Sequence, residues 1–371
     1  MIWFCLIIPV ITVPTLLCLW HKKILWWEYL LIFFVPLLFI ALSKSACEFA
    51  QTRDAEYLGG FGTSATYYED WNEYVHKTCS REDCTGSGEN RSCTTEYYDC
   101  SYVEEHPAYW QLDSTLGDFS ISQFTYKRLV GQFKNEAFVE LNRRYHTNDG
   151  DKYVTKWDGD PLRIEPVTRT HSYENRVQVS NSVFKFPDVD PKGLIPYPPV
   201  DGYAQNCVLG VQVKAKDVAE RRLAFLNATL GAKSQIRVFI LLFKNVPLQT
   251  AMNQRALWKG GNKNELVILL SVDDAQNVQW ADVFSWSEAE NLKVAARSKL
   301  MESQPLDLPS YIDWLGPEIR LKWRRRHFRE FSYLSVQPPL WYIVVAFLIV
   351  LLLCIGISWW VIHNEHETRR S

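Results

Sequence analysis

The sequence has no excess of either charge: 40 Lys and Arg stand against 42 Asp and Glu over 371 residues, and the net charge is -2. A general nucleic-acid binder, whose affinity comes from neutralised phosphates, is excluded on that ground. Catalytic signatures are missing as well. There is no nucleophile elbow, His-Glu-x-x-His pair, Cys-x-x-Cys pair or P-loop spacing, so no reaction type is specified and no catalytic residue can be named. His76, His106, His146 and His171 are each without a second histidine at helical or paired spacing.

Charge is also absent from the two ends, and there the absence is informative. Residues 2–20 form an uncharged apolar run about as long as a bilayer-spanning helix requires, interrupted only by Pro9, Thr12, Pro14 and Thr15. After His21, Lys22 and Lys23 a second run covers residues 24–43, with Trp26, Trp27 and Tyr29 at its start and Glu28 near enough to the interface to snorkel. The third run, residues 341–362, carries no charge and is bounded by Trp341, Tyr342, Trp359 and Trp360. Such an aromatic belt marks the headgroup layer. A cleaved signal peptide needs a basic leader and a shorter apolar run, and the start of the chain has neither. The expectation is a helical hairpin over residues 1–43, a third spanning helix over 340–362 and a short cytoplasmic tail over 363–371.

Lys22-Lys23 and Arg369-Arg370 then favour the cytoplasmic side, which sends the roughly 290 residues between the hairpin and the third helix to the extracytoplasmic side, periplasmic or extracellular. Arg320, Lys322, Arg324, Arg325, Arg326 and Arg329 lie just before the last helix, on the supposedly outer side. Long domains translocate regardless of charge, so that cluster reads as a basic juxtamembrane helix over residues 311–339, with Ile319, Trp323 and Phe328 turned to the lipid boundary and guanidinium groups meeting phosphates.

Cysteine usage points the same way. Of nine cysteines, Cys5, Cys18 and Cys354 fall in the apolar runs, leaving Cys47, Cys79, Cys84, Cys93, Cys100 and Cys207. Four are crowded between residues 79 and 100 among Ser, Gly, Asp and Glu, a segment too polar to pack by itself. This predicts a disulfide framework in an oxidising compartment, of unspecified connectivity; a zinc site with His76 would need paired short spacings that are not there. Asn90-Arg91-Ser92 and Asn227-Ala228-Thr229 are glycosylation sequons.

Residues 44–186 alternate short aromatic and β-branched runs with turn chemistry, as in Asn148-Asp149-Gly150-Asp151 and Trp157-Asp158-Gly159-Asp160, which bracket a hairpin strand. Residues 172–186 read as extended, with a bulge or turn near Asn181. Pro density over 187–200 reads as a stiff linker. Beyond it, over 201–310, the texture becomes α/β. Ala219, Leu223, Leu226 and Leu230 share a helical face, and residues 237–243 and 265–272 are apolar runs typical of strands buried on both faces, joined by a crossover helix reaching Trp258. Ser287 with Glu290 forms a capping box for a further helix.

The order of an amphipathic helix, the strand opening at Ser234-Gln235-Ile236, Pro247, a helix ending in Trp258, the Gly260-Gly261 loop and a second buried strand resembles the TPM domain family over residues 213–301. That resemblance implies a membrane-tethered α/β domain facing a lumen or periplasm, and in some members a phosphatase-like or divalent-metal-binding activity. Asp273, Asp274 and Asp282 are the residues it offers as ligands for calcium or magnesium, although no Gly-rich segment follows the second strand as in that family. Lys259-Gly260-Gly261 is a candidate phosphate cradle.

The expected architecture is a membrane-anchored α+β protein: three transmembrane helices, a disulfide-containing β-rich region and a TPM-like α/β domain. The expected role is to bind or scaffold a partner from the membrane surface, the partners being lipid and another protein, with no nucleic acid and with a homo-oligomer compatible. A metal-dependent hydrolase of TPM type is the alternative. A transporter subunit ranks behind both, because Glu28 is the lone ionisable group in the spans.

Overall fold

The structure, a computed structural model of the chain, describes residues 2–20, 24, 26–85, 92–141, 149–157, 164–180, 185–302 and 304–368. It is a mixed α+β fold with three helices long and apolar enough to cross a membrane and two disulfides in a strand region. In chain order the helices are α1 (Ile7–Trp20), α2 (Trp26–Thr52), α3 (Gln123–Phe133), α4 (Arg176–Val179), α5 (Lys216–Ser234), α6 (Gln249–Leu257), α7 (Glu290–Glu302), α8 (Leu308–Lys322) and α9 (Leu340–Thr368). The strands are β1 (Arg53–Tyr68), β2 (Trp71–Val75), β3 (Thr78–Thr85), β4 (Ser92–Asp99), β5 (Tyr102–His106), β6 (Tyr109–Ser114), β7 (Phe119–Ser120), β8 (Ala137–Val139), β9 (Lys152–Lys156), β10 (Pro166–Glu174), β11 (Val208–Gly210), β12 (Arg237–Lys244), β13 (Glu265–Val272) and β14 (Val278–Phe284). Two compact units result, one drawn from residues 1–56, 171–190 and 326–371, the other from residues 57–170 and 191–325.

The first unit is built on α1, α2 and α9. A single 3-10 turn, Ile2–Leu6, leads into α1. Ile2, Cys5, Ile40 and Val350 cluster at one end of the bundle, and Leu16, Ile32 and Val361 at the other, so α2 runs antiparallel to α1 and α9. Tyr342 donates its hydroxyl to the Ser43 carbonyl at 2.9 Å, which brings the end of the α2 apolar run to the start of α9. Only 17–28 % of each apolar window is buried. The remainder, including Trp26, Leu38 and Leu352, is open apolar surface of a kind that calls for lipid rather than water. At 27 residues, α2 is about 40 Å long, enough to cross a ~30 Å hydrocarbon core with one end left over for the polar layer. Glu28, expected to snorkel, is instead buried at 7 % exposure. Lys22, Lys23, Arg369 and Arg370, on which the orientation rests, lie outside the described residues.

Beyond α2 this unit holds the start of β1 and the end of β10. Asp54 accepts hydrogen bonds from Tyr173 Oη at 2.9 Å and Asn175 Nδ2 at 2.7 Å, and the buried Glu56 carboxylate meets His171 Nδ1 at 2.9 Å. The expected extended segment over 172–186 therefore stops at Glu174. Asn175 caps a short helix instead, its side-chain oxygen accepting from Gln178 N at 3.2 Å. The bulge expected near Asn181 falls outside the described residues.

In the second unit, β7-β6-β1-β9-β8 form a sheet in that order, with β10 also pairing β1. Ala65, Leu112, Ile121, Tyr126, Leu129 and Val167 make its core beneath α3. Ser122 caps α3 by accepting from Thr125 N at 3.1 Å. The expected hairpin strand is β9, while residues 148 and 158–160 of its flanking turns lie outside the described residues. A second sheet, β11-β12-β13-β14, is parallel across its first three strands and antiparallel at its last. β13 is buried throughout and β12 in all but its last residue, and α6 connects them. Each fully buried Ile, Leu or Phe here contributes roughly 1.5–3 kcal/mol.

Three expectations are corrected. α7 begins at Glu290 rather than after a Ser287 cap, because the Ser287 hydroxyl donates to the Arg324 carbonyl. Ile319 and Trp323 do not face lipid. Both belong to the core of this unit, and Trp323 Nε1 donates to Ser234 O at 3.0 Å. The third concerns the basic run, which is not one helix: α8 ends at Lys322 and its residues continue without helical geometry to a 3-10 turn over Phe328–Phe331. Lys322 pairs with Glu318, Arg325 bonds Gln235, and Arg326 sits 3.5 Å from Glu330, while Arg320, Arg324 and Arg329 are exposed.

Two glycines knit the unit together. A Cβ on Gly59 would sit 2.2 Å from the Asn227 carbonyl oxygen, and one on Gly231 would sit 2.2 Å from the Gly59 carbonyl oxygen. β1 thus crosses α5 backbone to backbone. The Pro-rich segment is docked as well: Ile195 N donates to Gln254 Oε1 at 2.8 Å, and Tyr197 stacks on Tyr57 and packs against Trp258.

Candidate functional site

Asp273 and Asp274 close β13, where the sequence suggests a metal or phosphate site. Asp273 accepts from Asn277 N at 2.8 Å and Asn277 Nδ2 at 3.1 Å, and Asp274 pairs with Lys244 Nζ at 2.8 Å and Asn245 Nδ2 at 3.3 Å. Those hydrogen bonds hold both carboxyls below their usual range, led by the Asn277 backbone amide for Asp273 and by Lys244 for Asp274. Adjacent residues diverge at a strand end. Here one carboxylate fixes the turn into β14 and the other tethers the end of β12.

The Lys259-Gly260-Gly261 loop is no phosphate cradle. Gly260 N donates to Arg255 O at 2.9 Å, Gly261 N to Trp258 O at 2.8 Å and Asn262 N to the Glu265 carboxylate at 2.8 Å, so the amides an anion would need are spent. Glu265 is fully buried and also accepts from Tyr197 Oη at 2.5 Å and Asn262 Nδ2 at 2.9 Å. Burial raises its pKa above the usual carboxylate value, with those hydrogen bonds opposing the shift. Burial beside this carboxylate also raises the Tyr197 hydroxyl. The group clamps a loop.

Two ribbons offer a different site. β3 pairs with β4 from Thr78↔Asp99 to Thr85↔Ser92, and β2 pairs with β5 from Trp71↔His106 to Val75↔Tyr102. Cys79–Cys100 and Cys84–Cys93 are disulfides. Cys47 and Cys207, expected to join the framework, are free and buried, Cys47 on α2 and Cys207 in the core of the second unit. Burial pushes the Cys207 thiol pKa up, which leaves it inert. From Thr78 to Thr85 and from Cys93 to Asp99 no residue is buried, so the stapled ribbon has no core of its own. What it presents is aromatic and acidic: Tyr97 is 72 % exposed and Tyr98 51 %, and on the neighbouring ribbon Tyr74 and Val103 stand opposite each other, both more than half exposed. Residues 71–106 hold eight carboxylates against three Lys and Arg.

The other face of the β2–β5 ribbon gathers Glu73, Glu104 and His106. Glu73 and Glu104 are directly opposed, His106 Nε2 lies 3.2 Å from Glu73 Oε2, and Trp71 stacks on the imidazole. All three ligand atoms lie within 4.8 Å of one another, the one such group among the described residues. A mixed carboxylate and imidazole set suits a borderline divalent ion such as zinc rather than calcium or magnesium. Glu104-Glu105-His106 is a two-residue spacing that puts both ligands on one face of a strand, a signal legible in sequence. Glu73 needed the strand register.

Asn227 of the second sequon is 1 % exposed, with its amide donating to Val238 O at 3.0 Å and accepting from Val238 N at 2.8 Å, so it is a structural residue and no glycan acceptor. Asn90 lies outside the described residues. Compared with known proteins, the chain matches no family model, no curated protein sequence and no solved structure.

Proposed function

We propose that the protein is a membrane-anchored binding module whose disulfide-stapled ribbons recognise another protein on the extracytoplasmic side. The observation that carries this reading is a two-stranded ribbon, β3–β4, that buries no described residue yet spends two disulfides on holding its shape. An isolated ribbon is marginal in water, and cross-links that order it without a core reduce the entropy lost on binding. Exposed tyrosines supply contact area with few rotors to freeze. The excess of carboxylates suits a cationic partner surface. Disulfides persist in an oxidising compartment, which favours the outer side of the membrane.

The test is photo-crosslinking in intact cells. A photoreactive residue at Tyr97 or Tyr98 of the full chain yields a discrete protein adduct, which is lost on mild reduction and on combining Glu82→Gln, Asp83→Asn and Glu96→Gln. The same group at Met252, 63 % exposed on α6, yields none. Equal adducts from both places, or none from the ribbon, refute the reading. Labelling the reduced ribbon cysteines with a membrane-impermeant thiol reagent tests the side.

A further inference from the structure

At one end of the helical bundle the first unit has a cleft of about 390 Å³, lined by Trp3, Lys44, Glu48, Arg176 and the segment from Ser332 to Pro338. The beginning of the first apolar helix, the end of the second and the segment leading into the third line it. We propose that this cleft holds the phosphate of a bilayer phospholipid, a monoanionic phosphodiester, as a bound lipid.

Depth comes first. Residues 29–43 of α2 carry no charge, and Lys44 is the first cation after them. From Trp26, at the far end of the apolar run, to Lys44 the helix rises about 27 Å, close to the ~30 Å hydrocarbon core, which sets Lys44 where hydrocarbon gives way to headgroups. Trp3, Tyr333 and Trp341 are 46 %, 77 % and 67 % exposed around the same end, as aromatic side chains at that depth commonly are. A phospholipid is therefore the occupant that the surroundings supply at this level.

Charge and geometry come second. Lys44 Nζ pairs with Glu48 at 3.2 Å, so one cation is balanced within the cleft. Arg176 is the second cation of the lining, and its own partner, Glu174, is not part of that lining. Its Nε donates to Glu174 at 2.6 Å and its Nη1 to the Leu334 carbonyl at 3.1 Å, which fixes the guanidinium plane while the second terminal nitrogen has no acceptor among the described residues. Glu174 is half exposed at 58 % and water can screen it, whereas a phosphate at the cleft meets the remaining terminal nitrogen of a guanidinium already held in place. Ser335 and Gln337 add polar groups to the wall. This site is independent of the ribbon reading, since it involves only the membrane end of the chain.

The experiment uses the full chain, incorporated into vesicles of phosphatidylglycerol, or of diacylglycerol diluted in a phosphate-free matrix, then extracted into lipid-free detergent for native mass measurement. Wild type is expected to retain one phosphatidylglycerol per chain and no diacylglycerol, and soluble glycerophosphate is not expected to displace the lipid. Arg176→Gln combined with Lys44→Gln lowers retention about tenfold or more, as loss of charge-assisted hydrogen bonds predicts. Ser335→Phe, which fills the cleft and keeps both cations, lowers it as well, and Arg320→Gln outside the cleft does not. Intact disulfides and an unchanged far-UV spectrum establish that each variant folds. Retention unaffected by both cleft variants, equal retention of diacylglycerol, or no retained lipid in wild type overturns the proposal.

Discussion

Replacing Cys79 and Cys100 by serine, with Cys84–Cys93 left intact, is expected to loosen one ribbon without unfolding the protein. The two cross-links are nested, with separations of 21 and 9 residues. With the inner bond in place, the loop closed by the outer one runs only through residues 79–84 and 93–100, about 14 residues instead of about 22. In the chain-entropy account the outer bond then contributes about 3 kcal/mol, against about 3.4 kcal/mol if it acted alone. Because β3 and β4 bury no described residue, that loss falls on local opening of the ribbon rather than on the cores. Amide exchange over residues 78–85 and 92–99 should quicken on the order of a hundredfold in the full chain. Exchange in β12 and β13 should not change. Serine at Cys84 and Cys93, with the outer bond left in place, costs about 2.3 kcal/mol in the same account and acts most strongly toward the tip. Unchanged ribbon exchange would mean that something other than the disulfides holds these strands together, and faster exchange in β12 and β13 would mean that the ribbon is no independent unit.

Gly231→Ala is expected to destabilise the second unit by about 1–3 kcal/mol or more, because the new Cβ meets the Gly59 backbone, which cannot swing aside; a denaturant midpoint equal to that of wild type refutes the backbone crossing. Glu265→Gln tests the buried clamp through pH. Since the folded-state pKa is raised, the carboxyl's contribution is fully present below the unfolded value of 4.5 and is lost as pH rises through the folded one. The stability of wild type minus that of Glu265→Gln should fall over that interval, and a flat difference sinks the assignment. Glu104→Gln removes a like charge directly opposite Glu73, so in the presence of a chelator it should slow exchange in β2 and β5 by up to about fivefold. Zinc should produce slowing in wild type that the variant loses. Asp273→Asn with Asp274→Asn should leave the unfolding temperature as insensitive to calcium and magnesium as in wild type, since both carboxylates are engaged by neighbours; a calcium- or magnesium-dependent rise in wild type that this variant abolishes would return the site to consideration.

The elements that could be read from sequence were those whose pattern is set by one dominant force. Residues 2–20 and 341–362 are apolar without interruption by charge, and bilayer length alone selects a helix for them. Residues 237–243 and 265–272 are apolar on both parities, and burial on two faces makes them β12 and β13. Elsewhere a distant partner decided the outcome. Ser287 has the right spacing for a cap, yet its hydroxyl goes to Arg324, 37 residues on. Ile319 and Trp323 have the spacing of a lipid-facing stripe, but the same stripe serves equally well against α5, and tertiary packing took it.

The candidate sites divide in the same way. Asp273-Asp274 is conspicuous because its acidic residues are contiguous, but contiguity on a strand sends side chains apart, and each carboxylate found a local partner. Glu73, Glu104 and His106 converge although they are spread over 34 residues, and the connection is made by the β2–β5 register. That register depends on the ribbon returning on itself between Val75 and Tyr102, the stretch that the two disulfides close. The cysteines, legible as a framework from their crowding, thus determine the arrangement of residues that no local spacing could join. Removing the outer cross-link should disturb the Glu73–His106 pairing along with the β3–β4 ribbon, since Cys100 and Lys77, joined by a backbone bond at 2.9 Å, sit at the junction of the two.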